Sequence, residues 1–409
     1  MKLLILAHAY PEFIENFYAS RPDLPARGYR EQFQAFDRES HAWANMGLAE
    51  ALAPLGYETA VAIVNMEPLQ KAWAQEHGSV FQDSSWKTDI ADMQIKHFRP
   101  DLVLLSRYSE FAPHWIGRLR EKFTFIRLLG VWCGMPFHTP QPFENFDLII
   151  TCLPESETRF RSLGFNCRQV HHAFDRRVLE HIDSGHEQDI TLSIVGQLIR
   201  SPGYHEGRVQ QLERIVDELD IAIFSSAERF YSRMALRHAA RLGLFSLAKG
   251  LQRLKVPRRL LESSPLLLEA MQYDRPPPPP VSRKLRAHLR PAEFGRSMYQ
   301  TLQRSKISLN IHGEVSSQAA SNRRLFEATG VASCLLTDWK KNLPTLFEPD
   351  AEIVTYKSVE ECIEKAKWLL DHPDQRREIA LAGQRRTLAD HTFANRAEQI
   401  HDFIQKSLL

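Results

Sequence analysis

What this 409-residue sequence lacks narrows its class before any motif is read. Its five cysteines (Cys133, Cys152, Cys167, Cys334, Cys362) are odd in number, widely spaced and free of any C-x-x-C pair, so neither a disulfide framework nor a zinc ribbon is suggested. A reducing cytoplasm suits them. No stretch reaches the length of a membrane span, and the run Leu3-Leu4-Ile5-Leu6 is too short for the core of a signal peptide. It reads as a first buried strand. Neither sign of charge dominates: 52 Lys and Arg against 50 Asp and Glu leave a formal +2. A coat for nucleic acid is not built that way, and any basic surface must be local. The phosphate loop G-x-x-x-x-G-K and the dinucleotide fingerprint G-x-G-x-x-G are both missing, which counts against kinases and dehydrogenases. The 17 histidines show no ligand spacing of the H-E-x-x-H kind.

What is present is a long, apolar-rich chain. At 43% hydrophobic residues it cannot be disordered as a whole, and its length exceeds what one compact core usually holds, so two domains are expected. Short continuous runs of Ile, Leu and Val alternate with helical patterns: Leu3 to Leu6, Thr59 to Val64, Leu102 to Leu105, Phe125 to Val131, Leu148 to Thr151 and Cys167 to His171, with helices near Ser40 to Leu55 and Asp89 to His97. Such runs are strands buried on both faces, hence a parallel, helix-covered sheet. A second series starts at Ile190 to Val195 and continues through Ile221 to Phe224, Ile307 to Ile311, Ser333 to Thr337 and Glu352 to Thr355. Between them, from about 228 to 290, lies an insert dense in Arg, Lys and Leu that ends in five prolines, Pro276 to Pro280, a stiff polyproline II segment. The expected division is 1–185, then 186–395 carrying the insert, then a final helix over 396–409 that crosses back.

Ligands of open parallel sheets sit outside the carboxyl ends of the strands, where loops and helix N-termini offer unpaired N–H groups to anions. His8 follows the first strand, Ser106-Arg107 follow Leu102 to Leu105, and Gly196, Arg200 and Arg208 follow Ile190 to Val195. The glycine permits close backbone approach, and the arginines suit a diphosphate.

The segment Ser321-Asn322-Arg323-Arg324-Leu325-Phe326-Glu327-Ala328-Thr329-Gly330, followed by Val331 to Leu336 and Thr337-Asp338, resembles the C-terminal signature of bacterial GT-B glycosyltransferases of group 1, including the spore-maturation-protein type. In that group an N-x-R-x-F-E-A run opens a helix aimed at the donor. Gly130 to Pro136, Phe146 to Thr151, Leu163-Gly164-Phe165 and His172 to Asp175 are similar to its N-terminal landmarks, more loosely. The resemblance covers most of the chain except the insert and Ala9 to Arg38. It implies two Rossmann-like α/β domains facing across a cleft, a nucleotide diphosphate sugar as donor substrate, no tightly bound cofactor and no required metal. Asn322, Arg324 and Glu327 would share one helix, with Arg324 on the diphosphate and Glu327 on the ribose hydroxyls. Lys306, Asn310 and His312 flank the preceding strand and would line the cleft.

The sequence departs from that group at one position. Many retaining members carry a second glutamate eight residues before the first, where Ala319 stands here; the nearest upstream glutamate is Glu314. Stereochemistry stays open. If the reaction inverts, a base must deprotonate the acceptor, and His8, Glu110 and His138 are chemically able to. The acceptor implied is a surface polysaccharide, lipid-linked glycan or related hydroxyl, with no nucleic acid partner. The interleaved Leu, Phe and Arg of 229–259 read as basic amphipathic helices, either lying on an anionic membrane at the inner face of the plasma membrane or packed on the second domain. A GT-B epimerase acting on the nucleotide sugar, and an inactive GT-B module for glycan binding or assembly, are the alternatives.

Overall fold

The computed structural model describes residues 1–41, 46–137, 139–183, 187–198, 206–254, 256–257, 264, 266–267, 276, 281–314 and 318–408, with the backbone alone at 206, 230–235 and 237. Of the expected features, His138, Arg200 and all of the proline run but Pro276 lie outside these residues. The first sheet consists of β1 (Lys2–Ala7), β2 (Glu58–Ile63), β3 (Leu102–Leu105), β4 (Leu128–Trp132), β5 (Leu148–Thr151) and β6 (Cys167–Gln169), in the order β2-β1-β3-β4-β5-β6. The second consists of β7 (Ile190–Val195), β8 (Ala222–Phe224), β9 (Leu289–Arg290), β10 (Ser305–Asn310), β11 (Cys334–Asp338) and β12 (Val354–Tyr356), in the order β12-β11-β10-β7-β8-β9. Every pairing is parallel. β3, β4 and β5 are buried at every residue, as their unbroken apolar runs require.

These orders locate the ligand sites. The direction of strand succession reverses between β1 and β3 in the first sheet and between β7 and β10 in the second, and such switch points open a crevice at the carboxyl ends. Pairing Ser308 with Ser193 sets the ends of β7 and β10 side by side, at Val195 and Asn310.

Among the described residues, nine helices shape the cleft and its hinge: α1 (Pro11–Ala19), α2 (Tyr29–Ser40), α3 (Met46–Leu52), α4 (Glu206–Ile215), α5 (Ala227–Arg253), α6 (Gly295–Arg304), α7 (Arg324–Gly330), α8 (Pro373–Asp390) and α9 (Phe393–Leu408). α1 carries Pro11 at its first turn, where a missing N–H costs nothing, and buries Phe17 against Phe13 and Phe36. The helix expected near Ser40 to Leu55 is divided instead. Ser40 closes α2, His41 turns left-handed at φ 42°, and α3 starts at Met46. The insert is also shorter than expected. Val281, Leu285 and Leu289 are buried in the second core, and β9 is that sheet's edge strand, so its last ten residues belong to the domain.

The two sheets are joined where the chain crosses twice. Phe174 pairs with Thr392 in a parallel bridge, its N–H donating to His391 O at 2.8 Å. α9 then returns to the first sheet and buries Phe393, Ala397, Ile400 and Ile404 among Leu3, Ile5 and Leu52. Arg396, 3% exposed, donates from Nε to His171 O (3.0 Å) and His172 O (3.2 Å), and from Nη1 to Asp390 O (3.2 Å). His391 fits only as the neutral ring, since its Nε2–H donates to Leu346 O at 2.9 Å and its Nδ1 then accepts from Arg396 Nη2 at 2.9 Å. A second network reaches the hinge from α2 and α3. Asp175 pairs with His41 Nδ1 (3.0 Å) and Arg177 Nη2 (2.7 Å), and Arg177 also pairs with Asp37 (3.0 Å) and Glu50 (3.3 Å). Burial alone would raise Asp175, but the bonds from His41 and Arg177 outweigh it and hold the carboxyl at about 2.

Burial, with Arg396 beside them, pushes His391 and His171 down to about 4. Between an unfolded value of about 6.5 and that level the unfolded chain binds protons that the folded hinge refuses, so stability falls as the pH drops. The urea midpoint should decline from pH 6.5 to 4, and less steeply in His391→Gln. An unchanged slope in that variant would remove His391 from the effect.

Candidate active site

The second sheet's switch point is walled by β7 and β10 and capped by α7. Arg324 Nε donates to Val195 O at 3.1 Å, and its Nη1 lies 2.5 Å from Glu327 Oε2 and 2.7 Å from Met298 Sδ. Arg323, just before α7, approaches the other oxygen of Glu327 at 3.8 Å. α7 is no solvated surface helix: Leu325 to Gly330 are all buried, Glu327 at 3% exposure. The ordinary reading of an i, i+3 charge pair, a weak surface contact, does not apply to it.

Gly196 opens the wall. A Cβ there would meet only Arg208 Nη1, at 3.6 Å, so packing does not demand the glycine; its bareness faces the cleft. Arg208 is anchored on backbone oxygens, with Nη2 on Ile311 O at 2.6 Å and Nη1 on Gln197 O at 3.0 Å, and burial lowers it to about 10, still cationic at neutral pH. Glu314 accepts from Gly207 N at 2.6 Å, at the start of α4. Asn322 precedes α7 instead of riding on it, and its Nδ2 donates to Asn310 Oδ1 at 2.6 Å. His312 N donates to Asp338 Oδ1 at 2.9 Å, and its Nδ1 lies 2.7 Å from the same oxygen. Burial would raise Asp338, but these contacts with His312 hold it below the usual carboxylate range. Asn322 Oδ1 and His312 Nε2 are buried without a hydrogen-bond partner among the described residues, hydrogen-bonding capacity a polar ligand would use.

Two adjoining cavities, of about 180 and 160 Å3, share Val195, Gly196, Arg323, Arg324 and Glu327. The larger reaches the first sheet through Tyr10, Phe13 and His41. Arg323 Nη2 donates to Tyr10 OH at 3.4 Å, and Phe13 stacks on Phe294 with ring centroids 5.9 Å apart. His8 lies two residues before Tyr10, on the loop leaving β1. Its Nδ1 is 2.5 Å from Glu110 Oε2, its Nε2 is 3.1 Å from Arg107 Nη1, and Lys87 Nζ sits 2.7 Å from the other Glu110 oxygen. Burial would raise Glu110, yet His8 and Lys87 together keep it below its ordinary range. A pocket of about 640 Å3 opens over this group, with Ile14, Glu15 and Tyr18 of α1 as its other wall.

Of the expected residues, Gly196, Asn322, Arg324 and Glu327 meet in one groove with His312 beside it, while His8 and Glu110 meet in the neighbouring pocket. Lys306 is elsewhere. It is the second residue of β10, four positions before Asn310, so about 13 Å of strand separates it from the carboxyl end. Tyr10, Phe294 and Lys87 carry contacts that no motif announced, and Arg323, inside the signature, carries one for which no role was expected. Among the described residues no three His, Cys, Asp or Glu are placed to hold a metal ion.

Residues 272–402 match the family model described as Glycosyl transferase-like. This segment is similar to that family of glycosyl transferases. It contains α6, α7, β10, β11 and β12, one wall of the groove. No curated protein matches the sequence. Among solved structures, the chain is similar to a glycosyltransferase from Rickettsia africae ESF-5 (8% identity, TM-score 0.52, 100% of this chain and 98% of that one). It is also similar to Anabaena HepE, solved with UDP-glucose (12%, 0.53, 99% and 100%), and to sucrose-phosphate synthase from Thermosynechococcus elongatus (11%, 0.50, 99% and 98%). At such identities the likeness shows the fold, which is GT-B: two Rossmann-like domains facing across a cleft.

Glu327 is the carboxylate between Arg323 and Arg324, and removing it leaves two guanidinium groups facing each other in a poorly solvated site. Glu327→Ala should therefore cost about 3 kcal/mol of stability, read from urea unfolding. A variant as stable as the parent would show that the carboxylate is not their counter-ion.

Proposed function

We propose that the protein is a metal-independent glycosyltransferase of the spore-maturation-protein type. It would transfer a sugar from a nucleotide diphosphate sugar to a hydroxyl of a surface polysaccharide, lipid-linked glycan or related acceptor, in the cytoplasm. One observation carries the reading: Arg208, Arg323 and Arg324 converge on a groove containing the single buried carboxylate Glu327, so that its net charge favours an anion. Arg324 and Arg208 would take the diphosphate and Glu327 the ribose hydroxyls, with Gly196 admitting the backbone side of the ligand. We take 1–185 as the acceptor side and 186–395 as the donor side, with 396–409 crossing back.

On the acceptor side the Glu110 carboxylate, 2.5 Å from His8 Nδ1, favours the tautomer with its proton there, and Nε2 then accepts from Arg107 Nη1 at 3.1 Å, the place an acceptor hydroxyl would take over from Arg107. That is the arrangement of an oriented general base, and it supports an inverting displacement in which His8 takes the acceptor proton as the hydroxyl attacks the sugar and the nucleoside diphosphate departs.

A thermal-shift panel of nucleoside diphosphates and nucleotide sugars tests the donor site, with uridine nucleotides first because HepE was solved with UDP-glucose. At a hundredfold excess over Kd, a ligand of the folded state alone should add about 2.7 kcal/mol, visible as a raised melting temperature and lost in Arg324→Ala. No shift with any member of the panel would sink the donor reading.

His8→Asn should keep that donor shift while turnover drops by about two to four orders of magnitude. Full turnover in the variant would assign the proton to another group.

A further inference from the structure

Residues 229–261 contain nine Lys and Arg and no Asp or Glu, in a chain whose formal total is +2, so the remainder carries −7. Most of this stretch is α5, and its apolar residues extend from the buried side round to the opposite, exposed side instead of keeping to the single face of an amphipathic helix. Phe245 and Ala248 are buried against the protein. Leu236, Leu247 and Leu254 are 74%, 52% and 78% exposed. At about 100° per residue, spacings of eleven and seven place these three leucines within about 20° of one line, and Leu236 lies about 180° from Phe245. Arg229, Arg241 and Arg253 are exposed, and Lys249 extends over the Phe245 ring at 5.5 Å.

We infer that the outer face of α5 docks on an anionic lipid surface. Each alternative occupant uses half of the feature. A second copy would bring cations against cations without a carboxylate to answer them, and nucleic acid would engage the cations but leave the leucines in water. A bilayer with anionic headgroups uses both, with leucines entering the headgroup and acyl boundary while arginines stay at the phosphates. The uneven charge adds orientation, because the −7 remainder is repelled by the surface that attracts the helix.

α5 starts at the mouth of the cleft. Ser226, just before it, accepts from Gln197 Nε2 at 2.9 Å and donates to Glu12 of α1, and Arg229 pairs at 3.3 Å with Glu15, which lines the His8 pocket. A docked α5 thus holds the acceptor pocket near headgroup level. Resting on the transferase reading, this last step names the acceptor class as a lipid-linked one presented at that surface.

The test is co-flotation of the full chain, without nucleotide, with phosphatidylcholine vesicles and with vesicles containing phosphatidylglycerol. We expect binding only to the anionic vesicles, weakened by salt, and reduced about tenfold or more both in Leu236→Ser/Leu247→Ser/Leu254→Ser and in Arg241→Glu/Arg253→Glu. The parent's nucleotide thermal shift should persist in the leucine variant, which separates failure of docking from failure of the donor site. Equal binding to neutral vesicles, no binding, retention on an oligonucleotide equal to that on anionic vesicles, or concentration-dependent dimerisation abolished by the leucine changes would each overturn the proposal.

Discussion

Arg396 is the buried cation at the junction of the two α/β units. Two chain crossings join the sheets, and one guanidinium binds the backbone of both, with bonds to His171 O and His172 O on one and Asp390 O on the other. Burial lowers it only to about 10, so it stays charged, and the carbonyl dipoles take the place of a carboxylate. Burial first, and this cation beside them after it, keep the neighbouring His171 and His391 neutral. The same hinge anchors α7. A Cβ on Gly330 would come within 2.4 Å of the Phe174 ring, so only glycine lets the end of the helix lie against the crossing strand. Arg324 and Glu327 are positioned from that contact.

Charge is arranged differently at each end of the cleft. In the donor groove the cations outnumber the carboxylates that face them: Arg323 and Arg324 share Glu327, Arg208 leans on carbonyl oxygens, and Asp338 is occupied by His312 and Lys340. In the neighbouring pocket Lys87 and Arg107 face Glu110, Glu15 and Glu67, so the cations are matched by carboxylates and leave no positive surplus. A poorly solvated surplus of positive charge selects an anion, whereas a matched group selects neutral, hydrogen-bonding matter. This contrast fits a diphosphate on one side and sugar hydroxyls on the other.

Much of this was legible in the residues. Strands buried on both faces show as unbroken Ile, Leu and Val, and nearly all of them fall where those runs are. His8 and Glu110 could be singled out one by one, as side chains chemically able to act as a base. Their pairing could not, because it depends on β1 and β3 being neighbours across about a hundred residues of chain. α1 lay in the segment that no family landmark covers, although Pro11 ahead of Phe13, Ile14, Phe17 and Tyr18 is a helical signal in its own right. Lys306 shows the opposite error: closeness in sequence to a strand says nothing about which end of the strand a side chain occupies.

α1 explains why the acceptor is the hardest part to read. One side of this nine-residue helix, with Phe13 beside Tyr10, closes the donor groove, while its other side, with Ile14, Glu15 and Tyr18, closes the His8 pocket. Its Glu12 and Glu15 also hold the start of α5. A helix that serves three neighbours is constrained by all of them, so its sequence matches no single motif. Any shift of α1 must alter donor groove, acceptor pocket and insert together. Under the proposed function, specificity for the acceptor would reside in how α1 is placed, and the aromatic contacts with Phe294 make that placement depend on the second domain as much as on its own.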